Sequence, residues 1–252
     1  MEYTLKKSLG QHFLHDQAMC RTIVDALPQH QLPVLEIGPG AGAITRLLLQ
    51  QGYPDFRCVE LDDEKVTYLN KTFPALQNKI IHDDCLHIPK PFDGEFLLIG
   101  NFPYNISSQI VFRVIEWQSA IPVMVGMFQK EVAQRIASPH GKKDYGIMSV
   151  LTQCYYHTEY LFDVPPSCFT PPPNVMSGVI RLTRREAPLF SGDEKKFKTF
   201  VKQAFSQKRK TLRNCLKGFV PTEMIQDERF NRRAEQVPVA EFVSLFHELV
   251  LQ

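Results

Sequence analysis

The sequence predicts an α/β fold in which helices cover both faces of a mostly parallel sheet, followed by a small helical domain. Short apolar runs alternate with amphipathic stretches between residues 34 and 128. Strands buried on both faces of a parallel sheet are continuous apolar runs, and their alternation with helices indicates βαβ units. Beyond Arg185 the sequence becomes basic, with apolar residues at helical spacing, which indicates a second domain.

The elements follow from the apolar pattern in chain order. A first helix is predicted to begin after Asp16 and to end at Pro28. Two late apolar runs, 149–156 and 177–182, are predicted as strands that end the sheet, with a proline-rich loop at 164–174 between them. The earlier strands are predicted at residues 34–37, 56–61, 80–81, 96–99 and 123–128, and the helices between them at residues 43–51, 63–73 and 108–117.

A domain boundary is predicted near residue 187, where Ala187-Pro188 interrupts the pattern. Residues 1–186 then form the larger domain, with residues 1–30 as an N-terminal cap. Residues 187–252 form the helical domain, whose final helix is predicted after Pro238.

Composition excludes several classes of protein. The 29 lysines and arginines barely exceed the 27 aspartates and glutamates, so any surface for nucleic acid must come from local clustering. The six cysteines are scattered without a Cys-x-x-Cys pair, which favours a reduced cytosolic setting. The sequence has neither the apolar core of a signal peptide nor a transmembrane run. We therefore expect a soluble cytoplasmic protein that contacts no membrane.

A glycine-rich turn, Gly38-Pro39-Gly40-Ala41-Gly42, follows the first strand of the predicted sheet. Glycines at such a turn let the backbone pass close to a ligand. Glu60 ends the second strand, where a carboxylate can accept both hydrogen bonds of a ribose diol. Asp84, after the third strand, is placed either to contact an adenine amino group or to cap a turn. Because Gly38-x-Gly40-x-x-Ala43 also fits a dinucleotide fold, these residues alone leave the ligand open.

The segment Asn101-Phe102-Pro103-Tyr104 follows the fourth strand and faces the same crevice as the glycine turn. An adenine amino group is a poor nucleophile because its lone pair is delocalised into the ring. The Asn101 side-chain oxygen and the Phe102 carbonyl can accept its two N–H bonds and favour a tetrahedral nitrogen. Pro103 holds the loop rigid, and Tyr104 can stack on an extruded base. The segment therefore predicts methyl transfer to adenine N6 by positioning and electrostatics, without a metal.

These motifs resemble those of the small-subunit rRNA adenine N6,N6-dimethyltransferases, and the resemblance runs over nearly the whole chain. It implies the fold of a class I S-adenosylmethionine-dependent methyltransferase, which is Rossmann-like with a seven-stranded, mostly parallel sheet and a small C-terminal helical domain. The matching segments are an N-terminal signature at 7–14, a donor loop at 36–42, a catalytic loop at 101–107, residues 129–132, a proline-rich substrate loop at 164–175, and residues 208–214 and 233–236.

The resemblance also implies that S-adenosylmethionine is the donor. The family commonly has Asn at the position of His12 and Leu at that of Phe102. The change to His12 concerns only hydrogen bonds between this side chain and the donor. The change to Phe102 leaves the backbone carbonyl, which is the predicted acceptor, unchanged. The implied donor-binding residues are His12 and Leu14 over the donor, Gly38 beside its methionine part with Gly40 in the same turn, Glu60 at the ribose, Asp84 at the adenine and Asn101 at the methyl-transfer centre.

A basic run at residues 195–217 contains no acidic residue, which indicates a phosphate-contacting face or, alternatively, a solvated helix face. Phe169 in the proline-rich loop is placed either to stack on a splayed base or to anchor the loop to the core. The predicted RNA-binding residues are Phe169, Lys208, Arg209, Lys210 and Arg213.

The predicted function is dimethylation of N6 of two adjacent adenosines near the 3′ end of small-subunit rRNA. The predicted partner is an immature subunit, and the protein is expected to be a monomer without a metal. Three alternatives stay open: a large-subunit rRNA dimethyltransferase that confers antibiotic resistance, a largely non-catalytic assembly factor, and a dinucleotide oxidoreductase. The prolines at 171–173 and residues 233–236 favour the small-subunit enzyme, and the Asn101 loop argues against the last two alternatives.

Overall fold

A computed structural model describes residues 12–28 and 31–250 of the chain. Residues 7–11 of the N-terminal signature, and with them the start of the predicted cap, lie outside the described residues. All six cysteines are buried and carry free thiols. In the described ranges, no helix combines the length and the apolar character needed to cross a membrane.

The central sheet has seven strands within the described chain. The strands of the protein are β1 (Phe13–Leu14), β2 (Val34–Ile37), β3 (Phe56–Glu60), β4 (Ile80–His82), β5 (Leu97–Asn101), β6 (Val123–Gln129), β7 (Tyr156–Val164), β8 (Phe169–Thr170) and β9 (Ser177–Arg184). The order in the central sheet is β4-β3-β2-β5-β6-β9-β7. Strands β2 to β6 pair in parallel, and β9 runs antiparallel to β6. The predicted mostly parallel, seven-stranded sheet is therefore confirmed.

Three helices begin at an aspartate whose side chain accepts a hydrogen bond from the first turn. Asp16 accepts from the backbone N–H of Met19, at 3.0 Å, as the sequence predicts for the first helix. Asp62 and Asp193 cap two further helices in the same way. The helices are α1 (Gln17–Asp25), α2 (Thr45–Leu48), α3 (Asp63–Thr72), α4 (Ser107–Glu116), α5 (Lys130–Ala137), α6 (Ile147–Gln153), α7 (Glu194–Ala204), α8 (Leu212–Leu216) and α9 (Val239–Val250).

The middle of the sheet is covered on both faces. All residues of β2 and the first four residues of β5 are buried, which is why these strands are apolar apart from Glu36. Because β2, β3 and β5 are parallel neighbours, their carboxyl ends meet at one edge of the sheet. This topology brings the residues that follow Ile37, Val59 and Gly100 together.

A second, two-stranded sheet joins the N-terminal segment to the proline-rich loop. β1 pairs antiparallel with β8, so that Leu14 lies opposite Phe169. The backbone N–H of His15 donates to the carbonyl of Cys168 at 2.9 Å. Residues 164–174 are predicted only as a loop, so the pairing of β1 with β8 is known from the structure alone.

The described residues form two compact units, one within residues 12–133 and 159–184 and the other within residues 134–158 and 185–250. The predicted boundary near residue 187 lies close to the last of these divisions. The sequence did not indicate that residues 134–158 group with the second unit.

Aromatic residues form much of the core of the second unit. The rings of Phe190 and Phe197 are stacked with centroids 4.2 Å apart, and Phe246 packs edge-on against Phe197 at 5.3 Å. The hydrophobic face of α7 is therefore buried within this unit.

The strand predicted at residues 149–156 is wrong for most of its length. Residues Ile147–Gln153 form helix α6, and the strand begins only at Tyr156. The Ser149 hydroxyl accepts from the backbone N–H of Gly146 at 3.0 Å and donates to the carbonyl of Arg135, which fixes the first helical turn. A short apolar run fits a buried strand and a buried helix equally well, so periodicity alone could not separate the two.

Candidate active site

A cleft of about 200 Å³ opens at the carboxyl ends of β2, β3 and β5, the edge at which open α/β sheets bind ligands. The predicted catalytic residues Asn101, Phe102, Pro103 and Tyr104 line this cleft. The structure thus brings the predicted donor and catalytic residues together, while their individual roles stay predictions. The predicted donor-binding residues that line it are His12, Leu14, Gly38, Gly40, Glu60, Asp84 and Asn101.

All three glycines of the turn after β2 occupy the left-handed region that favours glycine, with φ of 70° at Gly38, 59° at Gly40 and 80° at Gly42. A Cβ atom at Gly42 would lie 2.4 Å from the ring of Phe73, which is closer than packed atoms approach. A Cβ atom at Gly38 would lie 3.7 Å from the backbone oxygen of Asn101. The glycine turn and the Asn101 loop are therefore near van der Waals contact, so a ligand held by one lies beside the other.

The carboxylate of Glu60 accepts three backbone hydrogen bonds at the end of β3. One oxygen accepts from Gly40 at 3.1 Å, and the other accepts from Leu61 and Asp62, each at 3.0 Å. A carboxylate offers about four acceptor sites, so about one remains, on the oxygen bonded to Gly40. The side chain is thus held in place, and a ligand diol that takes two sites there must displace the Gly40 N–H.

A second carboxyl group, Glu36 on β2, lines the same cleft and is 1% exposed. The Thr45 hydroxyl donates to it at 2.6 Å. Burial raises the pKa of Glu36 to about 8, and the charge of Glu60 acts in the same direction, while the Thr45 hydrogen bond opposes the shift. Glu36 therefore keeps its proton at neutral pH. In the sequence Glu36 is predicted only as part of the donor loop, although an acid inside an apolar strand is itself a signal for a buried carboxyl group.

Asp84 has the capping role that the sequence left open, and its contact with adenine stays a prediction. One oxygen accepts from the backbone N–H of Leu86 at 2.9 Å, and the other lies 3.1 Å from Nδ1 of His87. The residue therefore caps the turn after β4 while it lines the cleft. Neither these side chains nor any others in the described ranges form a group of three or more metal-ligand residues.

The two acceptors predicted for an amino group lie next to each other on the Asn101 loop. The Ser107 hydroxyl donates to the carbonyls of Pro103, at 3.3 Å, and Tyr104, at 3.0 Å. Within residues 12–28 and 31–250, by contrast, no hydrogen bond engages the Asn101 side chain or the Phe102 carbonyl. Both groups line the cleft and can accept N–H bonds of a ligand.

The ring of Phe102 is 1% exposed and anchors this loop to the sheet. Cβ atoms at Gly100 and Gly126 would lie 2.6 Å and 2.3 Å from this ring. The ring packs against Phe128 at 5.0 Å, and the Phe102 N–H donates to the carbonyl of Met127 at 3.2 Å. The two glycines therefore make room for the aromatic residue that stands where the family commonly has leucine, a requirement that the sequence analysis did not foresee.

Tyr104 is held at both the hydroxyl and the ring. Its hydroxyl oxygen lies 2.6 Å from that of Ser177, a residue that the sequence analysis did not single out. Burial raises the pKa of Tyr104, and the hydrogen bond with Ser177 opposes this shift, so the phenol stays protonated at neutral pH. The ring lies 5.8 Å from that of His12, with planes tilted by 30°.

The side chain of His12 is engaged with the proline-rich loop. Its Nδ1 lies 2.9 Å from the carbonyl oxygen of Pro171, so this nitrogen carries the proton and donates. The ring both lines the cleft and contacts Tyr104. The departure from the family's asparagine therefore couples the N-terminal segment to the loop that follows β8.

Phe169 is 2% exposed and packs in the hydrophobic core with Leu14 and Cys168. Its ring therefore has no free face for a base in this structure. Of the two roles considered for Phe169, anchoring the proline-rich loop is the one that its packing supports, and the RNA contact predicted for it is corrected accordingly.

The predicted RNA-binding residues of the second unit fall into two groups. Lys208, Arg209 and Lys210 are exposed in the segment between α7 and α8. The guanidinium of Arg213 instead donates to the carbonyls of Ile225, Gln226 and Asp227 at 3.0, 2.7 and 3.1 Å. We conclude that Arg213 holds the following loop in place, whereas the other three side chains are available to solvent.

Known proteins similar to the chain cover almost all of it. The family model described as ribosomal RNA adenine dimethylase matches residues 2–250. A protein of Porphyromonas gingivalis named ribosomal RNA small subunit methyltransferase A is 50% identical, with 97% of each chain covered. A protein of the same name from Cytophaga hutchinsonii is 48% identical, with 97% of this chain and 96% of the relative covered.

Solved structures share the fold at lower sequence identity. A dimethyladenosine transferase from Plasmodium falciparum matches with a TM-score of 0.83 and 22% identity, over 94% of this chain and 97% of the other. The 23S rRNA methyltransferase ErmE matches with a TM-score of 0.75 and 24% identity, over 94% and 99%. These likenesses confirm the predicted Rossmann-like methyltransferase fold.

Proposed function

Because the chain belongs to the ribosomal RNA adenine dimethylase family, we propose that it transfers methyl groups to N6 of two adjacent adenosines near the 3′ end of small-subunit rRNA. The observation that carries the proposal is the position of the Asn101 loop beside Gly38 in one cleft. The choice of the small subunit is supported by relatives near 50% identity that are named for it.

The proposed methyl donor is S-adenosylmethionine, which supplies a methyl group on a positively charged sulfur when bound. The residues of the cleft fit such a donor, because the carboxylates of Glu60, Asp83 and Asp84 line it together with a single lysine, Lys65, among the described residues. Carboxyl groups at short range favour a bound cation.

Each part of the donor has residues suited to it. Glu60 offers its remaining acceptor site, and the one shared with Gly40, to the ribose hydroxyls. Leu61, which is 54% exposed and lines the cleft, offers an apolar face to the adenine, whose amino group is assigned to Asp84. His12 and Leu14 cover the donor, and the turn at Gly38 leaves space for its methionine part.

At the target base, Asn101 and Phe102 act on the nucleophile. The amide oxygen of Asn101 and the carbonyl of Phe102 accept the two N–H bonds of the adenine amino group and draw its nitrogen out of conjugation with the ring. The lone pair is then available to form the new N–C bond while the methyl–sulfur bond of the donor breaks and leaves a neutral thioether, and the nitrogen releases one proton to solvent. Pro103 restricts the backbone between these acceptors and Tyr104, on which the extruded base stacks.

The second transfer uses the same acceptors with one N–H bond instead of two. After the first transfer the amino nitrogen carries one methyl group and one hydrogen. Only one of the two acceptors can then accept an N–H bond from it. The cleft must therefore tolerate N6-methyladenosine and realign it. We expect the second transfer to depend more strongly on stacking than the first.

The second unit is proposed to contact the RNA backbone through Lys208, Arg209 and Lys210, which are exposed. The proposed partner is an immature small subunit, on which a monomer of this protein acts. The proposed place of action is the cytoplasm, because ribosomal subunits mature there.

The test is mass spectrometry of rRNA nucleosides after incubation of undermethylated small subunits with purified protein and donor. We expect N6,N6-dimethyladenosine at two adjacent positions with the natural chain. Asn101→Ala is expected to lower the rate at least 100-fold, because it removes an acceptor that acts in the transition state. Asn70→Ala, a change at an exposed residue of α3, is the matched control and is expected to leave the rate unchanged.

Three outcomes contradict the proposal. Modification of large subunits instead of small ones favours the alternative large-subunit enzyme. Small-subunit binding without nucleoside modification favours a non-catalytic assembly factor. An unchanged rate in folded Asn101→Ala shows that the Asn101 side chain is not part of the reaction.

A further inference from the structure

The hydroxyl groups of Tyr104 and Ser177 form a short hydrogen bond between two elements that are 73 residues apart in sequence. Tyr104 begins a 3-10 turn after β5, and Ser177 is the first residue of β9. The distance between the two oxygens, 2.6 Å, is at the short end of the range for hydroxyl pairs. The bond therefore restrains the far end of the tyrosine ring.

Ser177 is a rigid partner. It is fully buried, at 0% exposed, and it lies opposite Gln129 in the ladder between β6 and β9. The sheet therefore fixes its backbone, and only rotation about one side-chain bond can move the hydroxyl. Tyr104 lines the cleft, whereas Ser177 is buried and is not among the lining residues, so any effect of Ser177 on the cleft must pass through a neighbour such as Tyr104.

The ring of Tyr104 has a second restraint. The ring of His12 lies 5.8 Å away at a tilt of 30°, and His12 is itself bound to the carbonyl of Pro171 at 2.9 Å. Ser177 and Pro171, the partner of His12, both follow β8 in the chain. The two rotatable bonds of the tyrosine side chain are restrained at the hydroxyl end and beside the ring.

From this geometry we propose that Ser177 is a positioning residue that holds the Tyr104 ring in place for stacking on the target adenine. The inference rests on the proposed function. A base gains from stacking on an aromatic side chain only when the ring lies over the base with nearly parallel planes. Removal of the bond frees the hydroxyl end of the ring to move, so orientation of the base is lost while binding of the donor is kept.

A double-mutant cycle on the full chain tests the inference. The variants are Ser177→Ala, Tyr104→Phe and the two combined, and Ser138→Ala is the control at another buried serine. If Ser177 acts through the tyrosine hydroxyl, each single variant lowers kcat on the small subunit about tenfold, and the double variant is no worse than either. The control leaves kcat unchanged.

Two further measurements separate positioning from a general structural effect. The fluorescence of 2-aminopurine, placed at the target position of the RNA, reports stacking of the base and is expected to be quenched by the natural chain but much less by Ser177→Ala. The Kd of S-adenosylmethionine, measured by calorimetry, is expected to stay within twofold. Thermal unfolding of each variant verifies that it is folded.

The inference is overturned if the losses of the two single variants multiply in the double variant, if 2-aminopurine quenching is unchanged in Ser177→Ala, or if donor affinity falls together with kcat. Failure of the proposed function is distinguishable, because the natural chain itself then neither modifies adenosine nor quenches 2-aminopurine.

Discussion

Gly100 and Gly126 lie directly opposite each other on the parallel strands β5 and β6, and the ring of Phe102 fills the space that both leave. This ring belongs to the loop that carries the proposed acceptors. The position of the Phe102 carbonyl is therefore set by the absence of side chains on two neighbouring strands, as well as by the loop itself.

The first prediction concerns Gly126→Ala. The added Cβ would lie 2.3 Å from the Phe102 ring, so the ring and its loop must move. Overpacking of this kind costs about 1–3 kcal/mol, and we expect a loss of that size in the free energy of unfolding, measured in urea. Methyl transfer is expected to fall at least tenfold, because the acceptors shift with the loop.

Phe102→Leu is expected to restore much of both losses when combined with Gly126→Ala, because the smaller side chain leaves room for the methyl group. Gly94→Ala is the matched control, since a Cβ there meets no atom within 4 Å. Equal losses in the single and the combined variants contradict this explanation.

The second prediction concerns pH. The pKa of Glu36 is raised to about 8 in the folded chain from an ordinary value of 4.5. Between these values the unfolded chain loses a proton that the folded chain keeps, so the free energy of unfolding falls as pH rises. This stabilising contribution is complete below pH 4.5 and lost by pH 8, at roughly 1 to 1.5 kcal/mol per pH unit.

Glu36→Gln removes the titration and keeps the shape of the side chain. We expect the stability of this variant to depend less on pH than that of the natural chain, when both are unfolded in urea at three pH values between 5.5 and 7.5. Parallel curves for the two proteins mean that Glu36 is ionised in the folded state.

The third prediction separates two arginines of the basic run. Arg213→Ala leaves three carbonyl groups without their donor, so we expect it to lower the free energy of unfolding by about 1–3 kcal/mol. Arg209→Ala, at an exposed residue, is expected to change stability by less than about 0.5 kcal/mol. It is instead expected to weaken RNA binding and to lower the salt dependence of the affinity. RNA binding that is unaffected by Arg209→Ala contradicts the proposed surface.

The central fold was predictable because its strands are buried on both faces and because Asp16 stands at the predicted start of the first helix. The helix at Ile147–Gln153 was not, because its apolar run is too short to define a period and its first turn depends on the distant carbonyl of Arg135. The pairing of β1 with β8 was equally out of reach, since two-residue strands leave no alternation to detect.

The site was predictable where neighbouring residues form a motif. Gly38, Glu60 and Asn101 each follow an apolar strand, and parallel strands bring such positions to one edge. Ser177 and Gly126 were not predictable, because their roles exist only through contacts with residues far away in sequence. The burial of Phe169 likewise depends on the N-terminal segment that packs on it.

The pairing of β1 with β8 has a consequence for the order of events during synthesis. His12 and its partner Pro171 are 159 positions apart, so the wall of the cleft that contains His12 and Leu14 is completed only after the second of them leaves the ribosome. At about 5–20 residues synthesised per second, the part of the cleft near Glu60 stays open on this side for on the order of ten seconds. We therefore expect a newly made chain to bind the proposed methyl donor only after this pairing has formed.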